Sequence, residues 1–413
     1  MSVKPRVGFV GKPFMEFIEW LHSHDYETYL FHDKNETYPT SKHITKTYAV
    51  DFSSKIALET DLAKVAEKPD FFVNTYENAV VPKARIAAYF QRPSLSENSA
   101  LWATDKFLMR SKFQENCPQY TPRFTLATSW DDIQAFLDLP EINFPLILKP
   151  ANLFKSLLVT KNTDIEELQN NFNEGLQLIQ KIYRQESVTF EPRFVLEEYL
   201  DGPSYSLEVF ADKNGDTVSA PSAVDLIMGR DLGENDNYNY SRKLPSQLSQ
   251  NQQDHVRQAA IAGVTALGLT SSPAHVELIY TSKGPKLIEI GARTGGYRQR
   301  MHLLAEDVDL FQAQVDVAQG NPPTLTPKKN HWCATYEVFC QEEGYLKEIS
   351  HIDKASKLPS MFYLRVKTKV NEKTGPSKKG YRAAVVAIFV TDDQVQFKKD
   401  TTFFETHIRV VIK

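Results

Sequence analysis

Two glutamates in one apolar hairpin are the residues best suited to chemistry in this chain of 413 residues. The stretch 275–296 reads HVELIYTSKGPKLIEIGARTGG, and two of its apolar runs are interrupted by Glu277 and Glu289. A three-residue turn centred on Lys283, with Gly284 able to take a positive φ, pairs residues at equal distances on its two sides. Glu277 and Glu289 are then expected to lie directly opposite each other on one face of the hairpin.

Like charges that face each other destabilise a sheet by up to about 1 kcal/mol, so this pairing needs a compensating feature. Three alternatives are a shared proton, a bound Mg²⁺ that takes carboxylate and phosphate oxygens, and a face that simply points to water. The next segment, ARTGGYRQR, favours an anionic ligand because Arg293, Arg298 and Arg300 surround a glycine pair. These residues therefore indicate a site for a metal and a negatively charged ligand.

The composition excludes several classes of partner. A total of 48 Lys and Arg against 52 Asp and Glu gives a net charge of −4, which argues against nucleic acid and anionic membranes. Three cysteines without metal-ligand spacing are typical of a reducing compartment, and no apolar run approaches the ~18 residues of a membrane span. The opening MSVKPRVGFVGKPF contains no signal-peptide run. We therefore expect a cytoplasmic protein.

Three regions with different patterns surround the candidate residues. Over residues 5–100, short apolar strands such as PRVGFVG alternate with helical segments, which predicts βαβ units and a parallel sheet. Over residues 101–320 the pattern is mixed and includes a small α+β unit at about 120–200. The proline-rich NPPTLTP then leads to short strand-like runs, which predict a separate β-rich domain at the C-terminal end.

The hairpin and three other stretches, in order along the chain, resemble the ATP-grasp superfamily and within it the carboxylate–amine ligases that act on amino acids. The other stretches are TDK ending at Lys106, ILKP containing Lys149, and LEEYLDGPSYSLEV. The resemblance covers residues 5 to about 320. It implies an α/β protein with the ATP-grasp fold, divided into a Rossmann-like parallel-sheet domain (1–100), an ATP-grasp domain (101–320) with a small α+β lid at about 120–200, and a C-terminal β-rich domain (328–413).

The resemblance also implies roles for individual residues. Glu277 and Glu289 would be metal ligands, and Arg293 would stabilise the γ-phosphate or the acyl phosphate. From position and chemistry alone, Arg298 is a second candidate catalytic arginine, which with Arg300 could contribute to the substrate pocket. Glu197 would bind the adenine amino group through its side chain, and two of its neighbours would contribute main-chain groups. The full set of nucleotide-binding residues would be Lys106, Lys149, Ser156, Glu197, Glu198 and Leu200.

Three positions differ from the family pattern. Gly291 stands where many members have a metal-binding asparagine, and Ser204 stands where some have a glutamate for the ribose. The segment PANLFKSLLV, which contains Ser156, has no glycine where members have a glycine-rich phosphate loop. We therefore expect the metal at the hairpin to depend strongly on the nucleotide for its remaining ligands.

The function implied by the resemblance is the ATP-dependent joining of a carboxylate and an amine through an acyl phosphate, with release of ADP and phosphate. The expected cofactors are ATP and Mg²⁺, or Mn²⁺ in its place, and the expected partners are small-molecule carboxylates and amines, foremost amino acids. Two alternatives stay open: an ATP-binding protein of this fold without ligase activity, and a carboxylase-type enzyme. No nucleic-acid or membrane partner is expected, and a homodimer stays an open option.

Overall fold

The structure of the chain, a computed structural model, describes residues 4–153, 157–185, 191–232 and 238–413. Within these ranges the strands form four sheets. A parallel sheet of four strands belongs to the N-terminal region, a second sheet of four strands follows it, and a sheet of nine strands and one of three complete the chain.

The N-terminal region is a parallel sheet with helices on both faces. Its elements are β1 (Arg6–Val10), α1 (Met15–Ser23), β2 (Glu27–Asp33), β3 (Ile44–Val50), α2 (Lys55–Leu62), β4 (Phe71–Val73) and α3 (Val80–Tyr89). The strand order is β3-β2-β1-β4, and every neighbouring pair is parallel. Val7, Phe9 and Phe31 are fully buried, as expected when helices cover both faces. The predicted parallel sheet is confirmed.

A small antiparallel sheet follows two helices. The elements are α4 (Glu97–Thr104), α5 (Lys106–Asn116), β5 (Phe124–Ala127), α6 (Trp130–Leu137), β6 (Leu146–Pro150), β7 (Thr160–Asn162), α7 (Ile165–Gln185) and β8 (Phe194–Glu198). The strand order is β5-β8-β6-β7, with all pairs antiparallel. Leu168, Phe172 and Ile179 recur at helical spacing on α7 and pack with Phe194 into one core. This core holds the lid-like unit together.

The largest sheet contains the hairpin with the two glutamates. Its first part consists of β9 (Ser204–Ala211), β10 (Thr217–Ser219), β11 (Val224–Met228), β12 (Asn239–Leu244), α8 (Gln250–Ala266), β13 (Ser272–Thr281), β14 (Gly284–Gly291), α9 (Arg298–Glu306) and α10 (Leu310–Ala318). The strands lie in the order β14-β13-β9-β11-β12, with β10 paired to β9. Helix α8 packs on this sheet, where Val256, Ala260 and Val264 share a core with Leu287 and Ile290.

The C-terminal region extends the same sheet. Its elements are β15 (Trp332–Val338), β16 (Gly344–Ile349), α11 (Ile352–Ala355), β17 (Met361–Val366), β18 (Lys373–Thr374), β19 (Val385–Thr391), α12 (Gln394–His407) and β20 (Val410–Ile412). Strand β15 pairs with β12, and β19 and β17 follow it, so the sheet is continuous from the hairpin to this region. Strands β18, β16 and β20 form the three-stranded sheet.

Among the described residues, no helix combines the length and the apolar composition that a membrane crossing requires.

Candidate active site

Glu277 and Glu289 are cross-strand partners in β13 and β14, as predicted. The prediction of a three-residue turn is wrong. Thr281 pairs with Gly284, so the loop between the strands has two residues. The register then shifts between the loop and the glutamates, where Ile288 has no opposite residue. The β-bulge adds one residue to β14, and the loop is one residue shorter than predicted. The two differences cancel, so Glu277 still pairs with Glu289.

Both glutamates line one large cavity of about 1060 Å³. Their side chains are only partly exposed, 27% for Glu277 and 30% for Glu289, so this face of the hairpin is not an open solvated surface. The cavity extends from Lys149 of the lid-like unit to Phe14 of the N-terminal region and Lys367 of the C-terminal region. All three parts of the chain therefore contribute to its wall.

Lys106 begins helix α5 and places its ammonium group beside the hairpin. Asp105 caps this helix through its carboxylate, which fixes the position of the first turn. The Lys106 Nζ lies 3.1 Å from Glu289 Oε1 and donates a hydrogen bond of 2.6 Å to the Leu153 carbonyl. The structure thus brings a predicted nucleotide-binding lysine into contact with a predicted metal ligand. Its charge offsets part of the repulsion between the two glutamates.

Glu277 is held by a buried chain of polar side chains that the sequence analysis missed. His275 contacts Glu208 through Nδ1 and lies 3.2 Å from Glu277 Oε1 through Nε2. Glu208 also accepts a hydrogen bond of 3.0 Å from the Gly295 N–H. Burial raises the pKa of Glu277, but the contact with His275 and the neighbouring arginines lower it further, to about 2. The carboxylate therefore stays ionised, as a cation ligand must.

A signal for this chain was present in strand β9, which reads SYSLEVFA and is buried along its whole length. Ser206 and Glu208 alternate with apolar residues, so both point to one side of the strand. A carboxylate inside a fully buried strand requires charged or hydrogen-bonding partners. That requirement could have predicted a partner such as His275 on the neighbouring strand, where it pairs directly with Glu208.

Arg298, predicted as a catalytic arginine, is only 2% exposed and lies behind the cavity wall. Its Nε donates a 3.0 Å hydrogen bond to Ser206 Oγ, and its Nη1 donates one of 2.9 Å to the Gly296 carbonyl. Burial, and then the charge of Arg242, lower its pKa to about 10. These contacts are those of a residue that positions the glycine loop. Arg300, by contrast, lines the cavity.

Glu197, Lys149 and Arg110 form a buried ionic cluster at the lid side of the cavity. The Lys149 ammonium contacts Glu197 Oε1, and Arg110 Nε lies 3.0 Å from Glu197 Oε2. Arg110 Nη2 also donates a hydrogen bond of 2.6 Å to the carbonyl of Ile288, the bulged residue of the hairpin. Burial raises the pKa of Glu197, but the charges of Arg110 and Lys149 bring it below its usual value.

Arg110 was missed in the sequence, although its position carried a signal. It follows Lys106 by four residues and precedes the buried Phe113 by three, so all three lie on the same face of α5. An arginine on a buried helix face needs an anionic partner. The partner is Glu197 of β8, and only the tertiary structure identifies it.

We expect ATP binding to weaken as pH rises above about 8, because burial lowers the pKa of Lys149 to about 8 despite the opposing charge of Glu197. Only the protonated ammonium attracts phosphate, so the KM for ATP should rise by up to tenfold per pH unit above that value. Steady-state kinetics from about pH 7 to 9.5 measure this. Lys149→Arg stays charged over that range and should give a flat profile; a rise of equal size in both proteins would contradict the assignment.

The hinge between β8 and β9 contributes the remaining predicted nucleotide-binding residues. Glu198 and Leu200 line the cavity, and so does Ser204, which stands where some family members have a glutamate. The Ser204 hydroxyl accepts a hydrogen bond of 2.9 Å from Arg230 Nη2. Ser156 lies outside the described residues.

Arg293 forms an ion pair with Glu77, which belongs to a 3₁₀ turn (Glu77–Ala79) after β4. The Arg293 Nε lies 2.8 Å from Glu77 Oε2. A Cβ atom added to Gly291 would lie 2.8 Å from the same oxygen, closer than real Cβ contacts occur. The glycine at 291 therefore makes room for a carboxylate from the N-terminal region, at the position where many family members carry asparagine.

The donor set at the hairpin suits a metal that is shared with a ligand. Among the described residues, no group of three or more His, Cys, Asp and Glu side chains is close enough to hold a metal ion. Glu277 and Glu289 supply carboxylate oxygens, which Mg²⁺ prefers, and Mg²⁺ commonly takes one or two carboxylates together with phosphates and water. The residues present fit a Mg²⁺ whose other ligands come from a nucleotide.

Known proteins that resemble this chain point to one family. Residues 142–300 match the family model of the ATP-grasp domain. Alanine--anticapsin ligase from Bacillus subtilis (strain 168) is 28% identical over 308 residues, which are 70% of this chain and 64% of that protein. Phosphoribosylamine--glycine ligase from Lactococcus lactis subsp. lactis (strain IL1403) is 27% identical over 232 residues, which are 54% of this chain and 52% of that protein. The chain thus spans about half to two thirds of the length of these relatives.

Solved structures show the same fold. The L-amino acid ligase from Bacillus licheniformis aligns over 100% of both chains, with a TM-score of 0.83 and 16% identity. Phosphoribosylglycinamide synthetase from Anaerococcus prevotii covers 99% of this chain and 100% of its own, with a TM-score of 0.69 and 16% identity. At such identities the likeness concerns the fold alone. The ATP-grasp fold predicted from the sequence is confirmed.

Proposed function

We propose that this chain, which belongs to the ATP-grasp superfamily, is an ATP-dependent carboxylate–amine ligase that forms an amide or peptide bond. One observation carries the proposal: Glu277 and Glu289 face each other in a cavity that also contains Lys106, Lys149 and Arg293. Two carboxylates and three cations are the groups needed to hold a triphosphate with its metal and to offset the charge of a transferred phosphoryl group.

In the first proposed step, the substrate carboxylate attacks the γ-phosphate of ATP and forms an acyl phosphate and ADP. Lys106 and Lys149 hold the phosphates, and Arg293 stabilises the transferred group. A Mg²⁺ at Glu277 and Glu289, or a Mn²⁺ in its place, would neutralise phosphate charge when bound. In the second step, an amine attacks the acyl carbon, the bond from that carbon to the phosphate oxygen breaks, and phosphate leaves with the proton that the amine nitrogen loses.

The hinge is the proposed adenine site, because Glu198 and Leu200 line the cavity there and would contribute main-chain groups. The carboxylate of Glu197 is already paired with Lys149 and Arg110. We therefore propose that its main contribution is to position Lys149, which differs from the direct contact with adenine that the resemblance implies. Ser156 is proposed to add a hydroxyl group near the phosphates.

Three domains are proposed for this reaction, with the limits 1–100, 101–320 and 328–413 and a lid at about 120–200. Closure of the lid over the cavity would exclude water, which would otherwise hydrolyse the acyl phosphate. Because β12 pairs with β15, the third proposed domain shares a sheet with the second.

Amino acids are the proposed substrates. One relative is named a ligase of alanine with anticapsin, and a protein of the same fold is named an L-amino acid ligase. The cavity wall also contains Arg242, which pairs with Glu337, and Arg300, which pairs with Glu16. Their remaining guanidinium N–H groups suit a substrate carboxylate. A cytoplasmic location, the lack of nucleic-acid partners and the option of a homodimer stay predictions from the sequence.

A phosphate-release screen tests the proposed function. The purified chain is incubated with Mg-ATP and pairs of standard amino acids, and the products are identified by mass spectrometry. Phosphate release that requires both members of a pair, with an amide of the expected mass, supports a ligase. Nucleotide binding without turnover across the panel would instead indicate a binding protein, and ADP formation that requires bicarbonate would indicate a carboxylase.

A further inference from the structure

The loop after β4 borders the cavity and contains buried oxygen atoms without hydrogen-bond partners among the described residues. Thr75 and Glu77 belong to this loop, and both line the cavity. Among the residues that the structure describes, neither carboxylate oxygen of Glu77 nor the Thr75 hydroxyl has a hydrogen-bond partner, although all three atoms are buried. The same loop contains a fourth such atom, the side-chain oxygen of Asn74. Buried polar atoms in folded proteins are nearly always paired, so these atoms need a donor from a water molecule or a ligand.

The chemistry of these atoms defines the ligand. An ionised carboxylate only accepts hydrogen bonds, and a hydroxyl group can accept as well. Arg293 Nε lies 2.8 Å from Glu77 Oε2 and balances the charge of that oxygen, so Oε1 and the Thr75 hydroxyl remain as open acceptors. A primary ammonium group carries one positive charge and three donors, which match these acceptors.

The position of the loop relates it to the proposed reaction. Loops at the carboxyl ends of parallel strands commonly bind ligands, and this loop follows β4 of the N-terminal parallel sheet. Its carboxylate contacts Arg293, the residue proposed to hold the acyl phosphate. Burial raises the pKa of Glu77, more than Arg293 lowers it, and a bound cation would favour the charged carboxylate.

We propose that Glu77, assisted by Thr75, binds the ammonium group of the amine substrate beside Arg293. This assignment rests on the proposed ligase function and gives the second substrate a position, one ion pair away from the acyl phosphate. The ammonium group first gives one proton to the Glu77 carboxylate. The neutral amine then attacks the acyl carbon, the bond from that carbon to the phosphate oxygen breaks, and the second proton leaves with phosphate. Gly291 is part of the assignment, because a side chain there would displace the Glu77 carboxylate.

Glu77→Gln combined with two nucleophiles tests the assignment. The first nucleophile is the amino-acid amine, used with the carboxylate substrate of whichever pair is most active in the phosphate-release screen. The second is hydroxylamine, which is uncharged near pH 8 and traps the acyl phosphate as a hydroxamate. Glu77→Gln should lower kcat/KM for the amino-acid amine about 30- to 100-fold, with a higher KM and a lower kcat, since a charged hydrogen-bond partner and proton acceptor is lost. Hydroxamate formation should change by less than about threefold because no ammonium group is bound.

Control variants separate binding from structure. Glu77→Asp keeps the charge and should recover part of the affinity for the amine, and Thr75→Val should give a smaller rise in KM in the same direction. Glu343→Gln, at an exposed carboxylate paired with Lys379, should behave like the wild type. Equal losses with both nucleophiles, or an unchanged KM for the amine, would overturn the assignment. A wild type that forms neither hydroxamate nor amide would instead refute the ligase function, and the assignment with it.

Discussion

Replacing Glu289 with glutamine is expected to reduce the rate of phosphate release by about 10³-fold or more at saturating substrates. Glutamine keeps the shape of the side chain but removes the negative charge that a Mg²⁺ ligand supplies. It also leaves Lys106 without the carboxylate that lies 3.1 Å from its ammonium group. Glu277 would then be the only carboxylate of the pair, so affinity for the metal and the position of the phosphates should both suffer.

Two measurements check this effect. Phosphate release is followed as a function of Mg²⁺ concentration, and the increase in melting temperature produced by ATP is compared with and without Mg²⁺. In Glu289→Gln, Mg²⁺ should no longer add to the stabilisation by ATP. Lys283→Gln, in the exposed loop of the same hairpin, is the matched control and should leave both quantities unchanged. Turnover of Glu289→Gln within about twofold of the wild type would refute the metal role.

Arg110→Met is expected to destabilise the protein by about 2 to 4 kcal/mol and to raise the KM for ATP. The guanidinium is fully buried, pairs with Glu197 and donates to the carbonyl of Ile288. Methionine fills much of the same volume but leaves that carbonyl without a donor and gives Glu197 one cation instead of two. Because Ile288 is the bulged residue next to Glu289, loss of its anchor should also shift the metal site.

Urea unfolding monitored by fluorescence, together with ATP kinetics, tests this prediction. Lys112→Met is the matched control, because Lys112 lies on the same helix and pairs with Glu115 at the surface. Exposed ion pairs contribute at most about 1 kcal/mol, so the control should unfold near the wild-type midpoint. If Arg110→Met and Lys112→Met unfold at the same urea concentration, the buried cluster does not stabilise the fold as described.

Much of the fold and part of the site follow from local patterns. Strands that alternate with helices over the first 100 residues predicted the parallel sheet, because this alternation forces βαβ connections. The pairing of Glu277 with Glu289 was also predicted, since two strands joined by a tight turn have few possible registers. The turn itself was predicted incorrectly, because a two-residue loop with a bulge and a three-residue loop without one give the same pairing at the glutamates.

The partners of these residues could not be predicted from the sequence. Glu77 lies more than 200 positions before Arg293 along the chain, and Glu208 lies on a different strand from His275. Local periodicity shows which face of a helix or strand is buried, but not which distant side chain packs against it. Arg298 is an example. Its position beside a glycine pair suggested a catalytic role, but in the structure its side chain is buried and does not line the cavity.

The sequence by itself therefore determined the ATP-grasp fold, the pair of carboxylates and the lysines that accompany them, because motifs and strand registers are short-range features. Only the tertiary structure decided the partners of these residues. Arg110 binds both Glu197 and the carbonyl of the bulged residue. His275 contacts both Glu208 and Glu277, and the absence of a side chain at Gly291 leaves space for Glu77. These contacts depend on how separate regions pack, and a buried charge is stable only where that packing supplies its partner.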